Sequence, residues 1–364
     1  ATLDRARVGL RAPGIRRAAV AAGVLHHQVL DRGLVGGGSI GTAHARTLAR
    51  RIAGSTVTAV YDANHPRALT IAAELGATAT ESAEALIHDD RVDAVVIASP
   101  DDLHAAQALA CISAGKPTLC EKPLAPQLDD ALAVVAAEVT LGRRLVTLGF
   151  MRRFDPGYAE LKARLDRGEV GAPLLVHCIH RNRRVGRDHT SAMSLTNSVV
   201  HEIDVNRWLL GEEYASVQVI AGRTTPHAGD GLRDPLLVVL RTSSGVIVEV
   251  ESFGNAQYGY EVRCEVVASE GTLELGDGSF VASGRSGLHG RTVPVEWLGR
   301  FEDAYRIELQ AWVDSIVAGA TAGPSAWDGY VATAVAGACV EALATDGWVP
   351  VARADRPALY LLST

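Results

Sequence analysis

The stretch Val35-Gly36-Gly37-Gly38-Ser39-Ile40-Gly41 decides how this chain is read. It follows a short apolar run, Gly33-Leu34-Val35, and leads into Thr42-Ala43-His44-Ala45-Arg46-Thr47-Leu48-Ala49, which reads as a helix. Strand, glycine turn and helix in that order form the setting that a dinucleotide pyrophosphate requires. Gly36 permits the tight turn, Gly38 lets the backbone approach the ligand, and Gly41 lets the helix lie close on the strand. The pyrophosphate then sits at the helix N-terminus, beside Ser39, Ile40 and Gly41, where free N–H groups and the helix dipole favour an anion.

Glycine-rich turns are common, so the triplet does not stand alone. Val57-Thr58-Ala59-Val60-Tyr61-Asp62 is a β-branched run that ends in an acid about 20 residues after the last glycine, where the ribose 2′-hydroxyl is bound. An acid there repels a 2′-phosphate, which favours NAD over NADP. Arg67 is the nearby residue that argues the other way.

Working outward, strands and helices alternate from Gly33, the mark of a parallel sheet. Helices are expected over Pro66–Leu75, Ser82–Ile87, His104–Ala114 and Leu128–Leu141. Val92–Ala98 is nearly continuous apolar sequence, as in a strand buried on both faces. Further strands end at Cys120 and Phe150. Ligands bind outside the carboxyl ends of such strands. The polar clusters lie there: the glycines, Asp62, Ser99-Pro100 with His104 beyond, and Glu121-Lys122-Pro123.

The pattern changes after about residue 150. Leu174–His180 is a strand, and Ser194–Leu210 a helix. From Val217 onward, alternating segments are separated by short turns such as Ser243-Ser244-Gly245, which predicts a mostly antiparallel sheet. Two late helices follow, Glu302–Val317 and Ala326–Ala344. The expected fold is therefore α/β. An N-terminal extension (1–30) precedes a doubly wound parallel Rossmann domain (31–150). An α+β domain (151–364) follows, with a large, mostly antiparallel open sheet.

Composition bounds the function. With 364 residues, 48% apolar and 21% charged, the chain has room for two ordinary globular domains. A formal net charge of −7 argues against a general nucleic-acid binder. No apolar run nears the roughly 20 residues that cross a bilayer. Cys111, Cys120, Cys178, Cys264 and Cys339 are scattered, without Cys-x-x-Cys spacing, so disulfides and structural zinc are not expected and a reducing cytoplasm fits. Arg5, Arg7, Arg11, Arg16 and Arg17 give the N-terminus a faint likeness to a transit peptide. A mobile extension or one outside turn accounts for it more simply.

Two residues carry candidate chemistry. Lys122, at a strand's carboxyl end, is placed to hydrogen-bond a substrate oxygen and stabilise a developing alkoxide. The plainer alternative is a surface lysine in a turn, against which Pro123 counts by stiffening that turn. Asn197, His201 and Asp204 stand at i, i+4 and i+7 and share a helix face. An amide, an imidazole and a carboxylate in a row can bind and deprotonate a hydroxyl, and histidine titrates near neutrality. The alternative is a satisfied structural histidine.

Four motifs occur in order: Gly36-Gly37-Gly38-Ser39-Ile40-Gly41, Glu121-Lys122-Pro123, Gly149-Phe150-Met151-Arg152-Arg153-Phe154-Asp155-Pro156-Gly157-Tyr158, and His201-Glu202-Ile203-Asp204. Together they resemble the glucose–fructose oxidoreductase / inositol dehydrogenase / MocA family, most of all its inositol 2-dehydrogenase branch, from about residue 31 to the C-terminus. The resemblance implies NAD-dependent oxidation of a ring hydroxyl, with Lys122 as catalytic lysine and His201 as proton acceptor. It implies substrate contacts from Met151, Arg152, His180, Asn182, Asn197, Tyr258 and Tyr305, and no metal. One departure is Asn197, where inositol dehydrogenases carry an aspartate. An amide binds a hydroxyl but takes neither charge nor proton. A different sugar or an aminocyclitol is therefore an open substrate. The alternatives are a hexose or aldose oxidoreductase of the same fold, a lyase with tightly held NAD, and a non-catalytic NAD-binding sensor. The open sheet is expected to pair subunits into a homo-oligomer, a dimer or tetramer.

Overall fold

The computed structural model describes residues 29–276, 282–285 and 288–361. Six strands form the first sheet: β1 (Leu30–Val35), β2 (Ser55–Tyr61), β3 (Thr78–Ala79), β4 (Ala94–Ile97), β5 (Thr118–Cys120) and β6 (Val146–Leu148). They run in the order β3-β2-β1-β4-β5-β6, every pair parallel. The order reverses between β1 and β4, and a crevice opens outside their carboxyl ends. All four residues of β4 are buried because helices cover both faces, hence its unbroken apolar sequence. Local signals set the helix ends. Asn64 caps His65–Leu75, Gly76 closes it in the left-handed conformation, and Ser82 caps Ala83–Ile87.

The second sheet contains β7 (Pro173–Arg181), β8 (Tyr214–Ala221), β9 (Leu236–Thr242), β10 (Ile247–Phe253), β11 (Glu261–Ala268) and β12 (Gly271–Glu274). A separate hairpin is made by β13 (Ala282–Arg285) and β14 (Leu288–Arg291), and β15 (Val349–Pro350) closes one edge. The order is β12-β11-β7-β10-β9-β8-β15. Only β7 and β10 pair in parallel. In β10 the alternation is plain: Val248 and Val250 are buried while Glu249 and Glu251 face outward.

The helix Ala326–Ala342 is apolar nearly all round because it is packed on both sides, against β8 and against the Leu128–Leu141 helix of the first half. The helix Glu302–Val317 also returns to the first half. Its Leu309, Trp312 and Val313 complete a core with Leu34, Leu48 and Val60. A division at residue 150 thus separates the two sheets but not the helices that cover them. The expected 1–30 extension lies outside the described residues apart from its last two. All five cysteines are buried thiols. Among the described residues no helix is long and apolar enough to cross a membrane, and no cluster of His, Cys, Asp or Glu is placed to hold a metal.

Candidate active site

The glycine turn is built as its sequence demands. Gly36 has φ +96° and donates its N–H to the Tyr61 carbonyl at 2.8 Å, tying the turn to the end of β2. A side chain on Gly41 would run into the Gly36 carbonyl, so helix and turn touch here. A Cβ on Gly38, by contrast, would meet nothing within 4 Å. Gly38 also precedes the Ser39–Arg51 helix without any side-chain cap. Open space over uncapped helix N–H groups fits a pyrophosphate. Asp62 ends β2 and accepts from Gly37 N at 2.6 Å and Asn64 N at 2.7 Å, with Arg67 3.4 Å away. Its carboxylate therefore sits beside the turn where a ribose would lie.

A cleft of about 330 Å³ opens at the carboxyl ends of β4 and β5 and faces the second sheet. Along it stand Ile40, Ser99, His104, Glu121, Lys122, Met151, His180, Asn182, Asn197, His201 and Tyr305, all expected from the sequence. Ala98, Asp101, Ser198, Tyr260 and Trp297 line it as well and were not foreseen. Position just after β4 was a signal for Ala98 and Asp101. Tyr260 comes from the loop before β11 and Trp297 from the first turn of a four-residue helix, Trp297–Arg300, neither of which a pattern encodes. A wider hollow of about 800 Å³ between Arg184–Asp188 and Pro226–Asp230 shares none of the residues named as candidates.

Several contacts fix the floor of this cleft. His104 bridges Ser99 O at 2.9 Å and Pro123 O at 2.7 Å, so it clamps the loops after β4 and β5 together. The Lys122–Pro123 peptide is cis. Glu121 bonds His44 at 2.7 Å. Burial opposes its charge, but His44 and Lys122 hold its pKa below the ordinary carboxylate range. Lys122 is half-buried and donates from Nζ to the Asn197 carbonyl at 3.0 Å. Burial lowers its pKa, against the pull of Glu121 and Asp101. A first-half lysine and a second-half backbone carbonyl thus meet across the cleft.

The opposite wall is the helical run Ser191–Leu210. Its middle, Ser194–Val199, is a π-helix rather than α. The wider turn carries Asn197 and disturbs the i, i+4, i+7 row expected of a plain helix. Asn197 and His201 reach the cleft. Asp204 does not: it is buried and takes Arg153 through both carboxylate oxygens, part of a network with Asp328 and Arg207. The expectation that Asp204 joins Asn197 and His201 in binding a hydroxyl is therefore corrected. His201 is buried, and burial, then Lys122, Arg152 and His180, push its pKa well below the ordinary value.

Two expected substrate contacts are placed elsewhere. Arg152 is 1% exposed, its guanidinium pairs with Glu202, and it is not among the residues that line the cleft. Tyr258 is 50% exposed, its hydroxyl bonded to Arg181 and Glu261 at the surface. Tyr260, two residues on, is buried and packs its ring 5.6 Å from that of His180. Side-chain direction in these loops is set by ion pairs formed across the fold, which sequence spacing does not specify.

Fold and cleft define an oxidoreductase of two halves, with a dinucleotide turn in one and an imidazole-lined wall in the other. Comparison with known proteins agrees. Residues 30–150 match the oxidoreductase family model with an NAD-binding Rossmann fold, and residues 162–351 match that family's C-terminal alpha/beta domain. The chain belongs to this Gfo/Idh/MocA family. It is 51% identical over 330 residues to inositol 2-dehydrogenase 1 of Saccharopolyspora erythraea, covering 90% of this chain and 98% of that protein. To inositol 2-dehydrogenase of Burkholderia vietnamiensis it is 44% identical, covering 91% and 99%. The crystal structure of myo-inositol dehydrogenase from Lactobacillus casei with NAD(H) and myo-inositol superposes with a TM-score of 0.88 at 35% identity, covering 91% of this chain and 99% of that one.

Proposed function

We propose that this enzyme oxidises one ring hydroxyl of a cyclitol, myo-inositol or a related inositol or aminocyclitol, to the ketone with NAD. The observation that carries this reading is the Lys122 Nζ–Asn197 O hydrogen bond of 3.0 Å, with His201 in the same cleft. Relatives of similar length are inositol 2-dehydrogenases, which supports the substrate class. When bound on the glycine turn and beside Asp62, NAD supplies the hydride acceptor. The chain's own groups do the rest. Lys122 stabilises the substrate oxygen as charge develops on it. A cleft imidazole takes the hydroxyl proton, the role sequence gives to His201. Met151, Asn182, Asn197 and Tyr305 shape the ring's surroundings. The test is a panel of inositols, aminocyclitols and hexoses with NAD and NADP, read by NADH or NADPH absorbance. Cyclitol turnover with NAD is expected; hexoses oxidised in preference to every cyclitol would overturn the assignment.

Asn197 favours a second reading, a hexose or aldose oxidoreductase of the same fold, because the polar group facing the substrate is an amide and not a carboxylate. The same panel decides between them.

The enzyme is further proposed to work in the cytoplasm as a homo-oligomer, a dimer or tetramer built through the outer face of the second sheet. That face carries Leu175, Ile179, Leu237, Val239 and Ile247 among charged residues, all half-buried or less. Sedimentation of a monomer at micromolar concentration would contradict the pairing. Buried thiols in place of disulfides support a reducing compartment, and recovery of the intact protein outside the cell would count against it.

A further inference from the structure

His44 is buried beside the cleft without lining it. It lies early on the Ser39–Arg51 helix, whose N-terminus fits a pyrophosphate, and it is 1% exposed. Its ring is closely held. Nε2 is 2.7 Å from Oε1 of Glu121, and the Tyr305 ring packs edge-on with centroids 5.5 Å apart.

Glu121 precedes Lys122 in the chain. A carboxylate only accepts, so Nε2 of His44 is the donor. The second oxygen of Glu121 takes the backbone N–H of Lys122 at 3.2 Å, while Nζ crosses the cleft to the Asn197 carbonyl. The carboxyl has little room to move: a Cβ on Gly149, just after β6, would stand 2.9 Å from its Cδ. Beyond the lysine, His104 holds the Pro123 carbonyl at 2.7 Å. The backbone that carries Lys122 is thus pinned on both sides, by one histidine from each of two helices.

Charge is involved as well as place. Burial opposes ionisation of Glu121, and the hydrogen bond from His44 leads the contacts that hold its pKa below the ordinary value. Burial lowers the pKa of Lys122, and Glu121 leads the charges that pull it back up. The other titratable and charged groups facing Lys122 are Asp101 from the turn after β4, Arg152 from the turn after β6, and His201 from the helical wall. Facing Glu121 from the Glu302–Val317 helix is Glu308, whose pKa is driven well up by burial and then by Glu121, which leaves Glu121 as the charged member.

We propose that His44 is a positioning residue, which acts through Glu121 to fix where Lys122 stands and to keep a carboxylate beside it. The proposal rests on the role given to Lys122 in the cyclitol-dehydrogenase reading. Without the donor, Glu121 either leaves its place or takes up a proton, and Lys122 loses its anchor or its negative neighbour. Gln at position 44 offers an amide N–H at about the reach of Nε2; Leu offers bulk and no donor.

The first test needs no turnover. Acetic anhydride reacts with the uncharged amine, so its rate at Lys122 against pH, read by peptide mass spectrometry on the folded enzyme, gives the titration of Nζ. The midpoint is expected about one pH unit lower in His44→Leu and unmoved in His44→Gln. Equal midpoints in wild type and His44→Leu overturn the proposal. The second test is turnover of myo-inositol with NAD. His44→Leu is expected to lose about 10–10² in kcat, with KM for NAD within about threefold and the alkaline limb of kcat/KM moved to lower pH. His44→Gln is expected to recover kcat to within about fivefold of wild type. A His44→Leu enzyme that melts lower yet keeps wild-type kcat and limb gives His44 a packing role alone and overturns the proposal. Should His44→Leu not fold, Glu121→Gln keeps the shape and drops the charge, and the same labelling midpoint is expected to fall; an unmoved midpoint overturns the proposal. A wild type that oxidises no cyclitol removes the functional reading, while the labelling still decides whether His44 acts on Lys122 through Glu121.

Discussion

Replacing Lys122 by Met keeps the aliphatic stem and removes the charge. In the structure Nζ holds the Asn197 carbonyl at 3.0 Å from a half-buried position on the cleft floor. Two effects follow. The carbonyl loses its partner, worth about 1–3 kcal/mol if it stays dry, offset in part because no ammonium has to be desolvated. Thermal unfolding should therefore move by only a few degrees. The reacting oxygen loses a preorganised cation, an effect of about 2.7–4 kcal/mol, or about 10²–10³ in kcat. NAD affinity, set at the glycine turn and Asp62, should stay within about threefold. The pH profile adds a second readout. Lys122 acts as the ammonium, and burial lowers its pKa, so wild-type kcat/KM should fall as pH rises through that lowered value. In Lys122→Met this alkaline limb should vanish. Steady-state NADH production with myo-inositol, calorimetric titration of NAD and thermal melts make the set. A variant within about fivefold of wild-type kcat, with its alkaline limb intact, would refute the role given to Lys122.

The two structural glycines should separate binding from folding. Gly38→Ala places a methyl in space that is open, so unfolding should barely change while NAD affinity drops at least about tenfold, about 1.4 kcal/mol; Gly41→Ala drives a methyl into the Gly36 carbonyl and should lower the melting temperature itself. Equal melting temperatures for the two would contradict this. Asp62→Ala should raise KM for NAD and shift the NAD:NADP ratio of kcat/KM toward NADP, since Arg67 is released from its 3.4 Å contact; an unmoved ratio would take Asp62 out of cofactor choice. Arg152→Leu leaves the buried Glu202 carboxylate with His180 alone, at a cost of up to about 3–5 kcal/mol, read as a shift in urea midpoint. Glu202 is held below its ordinary 4.5, so the wild-type advantage is full above that pH and fades as pH falls through and below it. A difference that is constant with pH would show that the ion pair is not its source.

Where the sequence was legible, a local cause is visible. The helices Leu128–Leu141 and Glu302–Val317 begin and end as read, because an apolar run is bounded by acids in the first turn. The glycine turn and the acid after β2 fix the first sheet, and sheet topology then gathers Ser99, His104, Glu121 and Lys122 at one edge. Less was legible in the second half. A π-turn has no simple periodic signature, so the polar row through Asp204 was read as one face of an ordinary helix. Arg152 and Tyr258 are polar residues in motif and loop positions, but their directions depend on Glu202, 50 residues on in a helix, and on Arg181, 77 residues back in β7, together with the nearby Glu261. Nothing in the Glu302–Val317 helix states which sheet it covers; its burial against Leu34 and Leu48 is a fact of the whole fold.

The π-turn and the amide at position 197 bear on one another. An aspartate side chain at this place would set a negative charge near Lys122 and cancel much of its field toward the substrate. Here the ammonium is held by the Asn197 backbone carbonyl, a dipole that orients it without neutralising it. Among the described residues the Asn197 side-chain oxygen has only a long 3.4 Å contact with Thr196, which leaves it available to a ring hydroxyl. The positive charge aimed at the reacting oxygen is then larger than a lysine–carboxylate pair would give. Glu202 is a carboxylate of the wall that carries Asn197, buried against both His180 and Arg152. In the proposed reaction, anion stabilisation by Lys122 and proton acceptance by a cleft imidazole fall to different halves of the molecule, and the chemistry should depend on how closely they are held together.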